Sequence, residues 1–130
     1  MAGTLTISTL SDGTNSTSST NCIQGSAKAW VNFDGTVATP STIRASYNVS
    51  SITRNGTGNY NVNFTNALVD ANYSMVGCAA LDGTIGVSGT PCFIITGTAA
   101  TSTTTTCQIA CVQYNTTAAN RTVIQLGFFR

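Results

Sequence analysis

Between residues 27 and 64, apolar and polar positions alternate with a period of two, the pattern of a half-buried β-strand. "AKAWVNF" puts Ala29, Val31 and Phe33 on one face and Lys28, Trp30 and Asn32 on the other. "IRASYNV" aligns Ile43, Ala45, Tyr47 and Val49 on a predicted inward face. "TGNYNVNF" does the same for Tyr60, Val62 and Phe64, leaving Asn59, Asn61 and Asn63 outward. Asp34-Gly35 and Pro40 mark turns. Asn55-Gly56, the strongest short hairpin signal in the chain, predicts a reversal at that dipeptide.

Beyond residue 70 the signals continue. "ANYSMVGCAAL" reads as a strand and Asp82-Gly83 as a turn; "GTPCFIITGTA" is a strand with Pro91 at its start, where a missing N–H is tolerated. "TTTTCQIACVQY" and "RTVIQLGFFR" follow, separated by the loop "NTTAAN". β-Branched residues dominate, and no stretch repeats with the helical period of 3.6. Short strands at regular turn spacing predict an all-β fold, an antiparallel β-sandwich or jelly-roll-like single domain over residues 26–130. A chain of 130 residues suffices for one such core.

The first 25 residues differ. "GTLTISTLSDGTNSTSSTN" is too polar to bury itself, yet Leu5, Ile7 and Leu10 are out of place in a solvated tail. They predict an extended N-terminal arm over residues 1–25 that orders by lying on a neighbouring subunit, with those three side chains as its contacts. A floppy tail is the plainer alternative.

Composition sharpens this picture. Apolar content is ordinary at 42%, but charged residues are only 7%, against roughly a quarter in an average globular domain. Thr, Ser, Asn and Gly fill the polar positions, and a surface without charge favours association. The net charge of +1 comes from scattered bases, with no basic stripe for nucleic acid. No apolar run approaches a membrane span, and the N-terminus lacks the basic and apolar regions of a signal peptide. Expected partners therefore include neither nucleic acid nor membrane, and synthesis is expected in a cytoplasm.

Chemistry is thinly supplied. There is no His and no Glu, so the usual triads and carboxylate dyads cannot be assembled. Asp34 and Asp82 each precede a glycine in a turn, where Asp serves its own backbone. No catalytic residue, metal site or cofactor is expected, and the chain is read as no enzyme. The Asn-x-Ser/Thr triplets, Asn48-Val49-Ser50 among them, are explained by composition. Five cysteines leave at least one unpaired within the chain. Cys107 and Cys111 would share a strand face about 13 Å apart, too far for a mutual disulfide. Their predicted role, like that of the others, is as small buried hydrophobes.

The sequence also carries a family resemblance. Lys28 to Phe33 (KAWVNF), Asn48 to Ile52 (NVSSI), Asn55-Gly56, Tyr60-x-Val62-x-Phe64 and Asp70 to Tyr73 (DANY) together resemble a module of phage virion proteins, found in tail fibres and other structural proteins. The resemblance covers about 50 residues. It implies a β-rich virion protein working in oligomers, commonly homotrimers, against capsid or tail proteins. With only a short segment before the module, a small capsid decoration (cement) protein or a short fibre or adaptor is expected. The alternative is a receptor-binding module recognising a glycan or protein of the host cell surface. For Trp30 two roles are open: packing beneath a neighbouring strand or arm, and contact with a ligand.

Overall fold

The computed structural model describes residues 3–80, 92–95, 102–113 and 117–130. Its strands are β1 (Thr9–Ser11), β2 (Ser16–Ser18), β3 (Ala27–Asp34), β4 (Thr42–Tyr47), β5 (Val49–Gly56), β6 (Asn59–Phe64), β7 (Ser74–Ala80), β8 (Cys92–Ile95), β9 (Thr106–Gln113) and β10 (Val123–Phe129). One short helix, α1 (Ser19–Gly25), precedes β3. Two four-stranded antiparallel sheets, ordered β4-β3-β10-β7 and β5-β6-β9-β8, face each other as a β-sandwich, and β1 and β2 form a separate hairpin. The expected turn at Asp82-Gly83 and Pro91 lie outside the described residues.

The core is built by the alternating positions. Ala29, Val31 and Phe33 of β3 and Ile124, Leu126 and Phe128 of β10 point inward from the first sheet. Ile52, Tyr60, Val62, Phe64, Cys107, Ile109 and Cys111 answer them from the second. Phe64, Tyr73 and Phe128 stack edge to face with centroids 5.1–5.8 Å apart. Phe33 meets Tyr60 in the same way at 5.3 Å. Such pairs add about 0.5–1.5 kcal/mol each beyond the area they bury.

β4 departs from the expected alternation. Asn32 pairs with Ala45 but Phe33 pairs with Ile43, which leaves Arg44 as an extra residue in a β-bulge. The bulge reverses the phase: Ile43 packs on the core, while Ala45 and Tyr47 turn outward and are exposed. Their predicted inward placement is corrected accordingly. Asn48, at φ 55°, then bends the chain into β5. Its side-chain amide donates to the carbonyls of Lys28 (3.1 Å) and Asn66 (3.2 Å) and its Oδ1 accepts from Asn66 N–H (2.8 Å). Val49 arrives inward as a result.

The β5–β6 hairpin forms as expected, with Ile52 opposite Val62 and Val49 opposite Phe64, but its tip is two residues late. Asn55 is a bulged residue and Gly56 pairs with Asn59, so the reversal falls at Thr57-Gly58. Gly58 takes φ +66°, and its N–H is held by Asn120 Oδ1 at 2.8 Å. A Cβ there would sit 2.5 Å from the Cys111 carbonyl oxygen. This tertiary clasp fixes the tip where local propensity does not.

The N-terminal segment is also more structured than a single extended arm. Asp12 accepts backbone N–H groups of Thr14 (3.0 Å) and Asn15 (2.7 Å), closing the β1–β2 turn. Ser18 caps α1 by accepting from Asn21 N–H at 3.2 Å. Lys28 reaches back to the helix's C-terminal end, donating to the Ile23 carbonyl and to the Ser26 carbonyl and hydroxyl. Seven residues, about two helical turns, are too few to leave a period in the sequence.

Candidate interaction surfaces

Three surfaces stand out, and the first is the N-terminal segment. Leu5, Ile7 and Leu10 come together around a groove of about 430 Å³, joined by Cys22 and Ile23 of α1. Leu5 is 81% exposed, Leu10 54% and Ile23 65%, so the cluster has little cover within its own chain. Ile23 was not singled out in the sequence. An isoleucine in an otherwise Ser/Thr/Asn stretch was the available signal.

The second surface is the outer face of the β4-β3-β10-β7 sheet. Trp30 is 41% exposed there, not covered by any described strand of its own chain. The register places Tyr47 directly beside it on β4 and Gly127 on the other side, followed by Val76 on β7. Tyr47 is 58% and Val76 55% exposed, so one row crosses the sheet as Tyr47, Trp30, Gly127 and Val76. The next row is Ala45, Asn32, Gln125 and Cys78. Sequence reading found Trp30 but not its company, because Tyr47 reaches this face only through the bulge.

The third surface is the outer face of the β5-β6-β9-β8 sheet, a mesh of uncharged side chains. Asn63 Nδ2 donates to Ser51 Oγ (3.0 Å) and Thr53 Oγ1 (3.1 Å), and Thr106 Oγ1 donates to Asn63 Oδ1 (3.4 Å). Asn55 Nδ2 donates to Asn61 Oδ1 at 2.8 Å, and Gln108 Nε2 to Asn59 Oδ1 at 2.9 Å. The amides expected to face outward do so, and they bind one another.

The carboxylates of Asp34 and Asp70 are engaged by hydrogen bonds and arginine partners. Asp34 accepts the Thr36 hydroxyl (2.6 Å) and N–H (2.9 Å) and pairs with Arg44 at 3.2 Å. These contacts, the Thr36 hydroxyl foremost, hold its carboxyl below the usual range. Asp70 is clasped by Arg130, at 2.6 Å for Nη2, and is likewise lowered by that guanidinium first. Burial pushes the Tyr60 phenol up to about 12. Its hydroxyl lies 2.8 Å from both the Gly35 carbonyl and Asn120 Oδ1. A Cβ at Gly35 would collide with that hydroxyl at 2.6 Å, so glycine is required.

Among the described residues, no three His, Cys, Asp or Glu side chains gather as a metal site, and no helix is long and apolar enough to cross a membrane. Cys107 and Cys111 lie buried on one face of β9. Cys107 is a free thiol, so the two are not joined. Cys111 does carry a disulfide, and Cys22 and Cys78 are exposed free thiols; all three differ from the expected simple buried hydrophobe. Comparison with protein families, curated proteins and solved structures finds no match to this chain.

Proposed function

We propose that this chain is a non-enzymatic virion structural protein of a bacteriophage, a small oligomeric capsid decoration (cement) or short fibre/adaptor protein. The observation that carries the reading is the exposed aliphatic cluster of Leu5, Ile7, Leu10 and Ile23 on a segment outside the sandwich core. Burying one such side chain stabilises an assembly by about 1.5–3 kcal/mol, before the entropy of ordering is subtracted. A neighbouring subunit supplies that burial; water does not. The near absence of charge fits the same role, because Thr, Ser and Asn enter an interface without the desolvation cost of an ion. A homotrimer on the virion follows from the resemblance to phage appendage proteins.

The test is to trace the chain into density of the intact particle and to measure the purified protein's mass by light scattering. Many copies on the shell, or a ring at a tail junction, together with an oligomer in solution, is the expected result. A chain absent from purified particles overturns the reading.

The Trp30–Tyr47 pair favours a second reading, a receptor-binding module. Two neighbouring exposed aromatics beside the planar amides of Asn32 and Gln125 offer a stacking platform for a host-surface sugar. Glycan-array binding that is lost in Trp30→Ala would support it, and a few copies at a tail tip would distinguish it from cement.

A further inference from the structure

Each sheet of the sandwich ends in two edge strands, β4 and β7 in one and β5 and β8 in the other. An open edge presents unpaired N–H and C=O groups, and natural sheets blunt it with bulges, charge, proline or shortness. Three of these four edges are blunted. β4 carries the Arg44 bulge, β5 breaks register twice and includes Arg54, and β8 shows four described residues. Among the described residues β7 has none of these devices, although β8 of the other sheet approaches it. Its seven uncharged residues, SMVGCAA, run in unbroken register along β10.

Gly77 shows that, among the described residues, backbone on this edge is exposed. A Cβ at that position would point into Leu126, 2.5 Å from its Cδ2, so the residue faces inward. Gly77 is nevertheless exposed, and having no side chain, what it exposes is backbone. Val76 and Cys78 on either side are exposed too.

A second stretch of the chain has the complementary need. Residues 3–7 belong to no helix or strand, carry no charge, and alternate Thr4, Leu5, Thr6, Ile7. We propose that residues 3–8 of one copy add as a strand to the β7 edge of a neighbouring copy. In that position Leu5 and Ile7 turn toward the sandwich beside the half-buried Met75 and Ala79. Thr4 and Thr6 then extend the outer face beside Val76 and Cys78. Pairing of β7 with β7 of a second copy would satisfy the edge but leave Leu5 and Ile7 in water. The inference rests on the assembly reading above and names the acceptor that reading lacks.

Cys78 is a built-in reporter, since it is exposed, free and on the outer face. In full-length chain carrying Cys22→Ser, cysteine is introduced singly at Thr4, Thr6 and Ser8. Each protein is mildly oxidised and run on a non-reducing gel, with light scattering before oxidation. The expected result is a covalent link between copies at one or two of the three positions, lost when Cys78→Ser is added. Links that survive Cys78→Ser, or Cys78–Cys78 links in the Cys22→Ser chain alone, overturn the proposal. So does an intact oligomer with no Cys78-dependent link, which leaves the assembly reading standing. A protein monomeric at every concentration overturns both.

Discussion

The two outer faces of the sandwich answer solvent in opposite ways. On the β5-β6-β9-β8 face, Ser51, Thr53, Asn55, Asn61, Asn63 and Thr106 take up one another's donors and acceptors. On the β4-β3-β10-β7 face, Tyr47, Trp30 and Val76 form an exposed apolar row, uncovered by any other described residue. On the first face the polar groups of β5, β6 and β9 satisfy one another, with Ile95 of β8 exposed at the margin, and on the second an apolar row stands open. Low charge therefore has two meanings in one small protein: self-sufficiency on one side and readiness for contact on the other.

The largest expected effect tests whether the open face is merely the back of an ordinary core. Phe128→Ala empties the aromatic cluster beneath it and should destabilise folding by about 3–5 kcal/mol in denaturant titration. Tyr60 lies beneath the other face, and Tyr60→Phe should cost about 1–3 kcal/mol by stripping the Gly35 carbonyl or Asn120 of a donor. Its phenol stays protonated in the fold until about pH 12 but ionises near 10 when unfolded. Tyr60 thus contributes stability that is full below pH 10 and lost as pH rises through 12, and Tyr60→Phe should flatten part of that decline.

Asn63→Ala removes the node of the amide mesh and should cost about 1 kcal/mol, read by thermal denaturation. Trp30→Ala should cost well under the Phe128→Ala loss, because 41% of its surface is already exposed. Its effect should appear in association or ligand binding, measured by light scattering or glycan binding. Equal folding losses for Asn63→Ala and Trp30→Ala would erase the distinction between the faces.

The strands that the alternation predicts well, β3, β6 and β9, are central or continuously paired, so each residue's face follows from its parity. In β4 the predicted alternation fails beyond Ile43 because a bulge leaves no compositional trace: Arg44 looks like any outward residue. The hairpin tip moved from Asn55-Gly56 to Thr57-Gly58 because Asn120, more than sixty residues away, holds Gly58. No local signal encodes that contact. The small helix escaped notice because its caps, Ser18 and Lys28, are ordinary residues until the chain folds around them. Of the candidate surfaces, Leu5, Ile7, Leu10 and Trp30 were legible as misplaced apolar residues. Tyr47, Val76 and Ile23 became neighbours of theirs only through register and the helix.

The Arg44 bulge also bears on how this surface can change over generations. Upstream and downstream of it, the chain is read in different frames, so core and surface positions in β4 are set independently. Straightening the bulge with Arg44 retained would return Tyr47 to the interior frame and erase half of the aromatic pair in a single step. Keeping the bulge leaves positions 45 and 47 free to vary while Ile43 and Val49 keep the sandwich closed. A one-residue insertion thus lets this face change what it touches without a redesign of what holds the sandwich together.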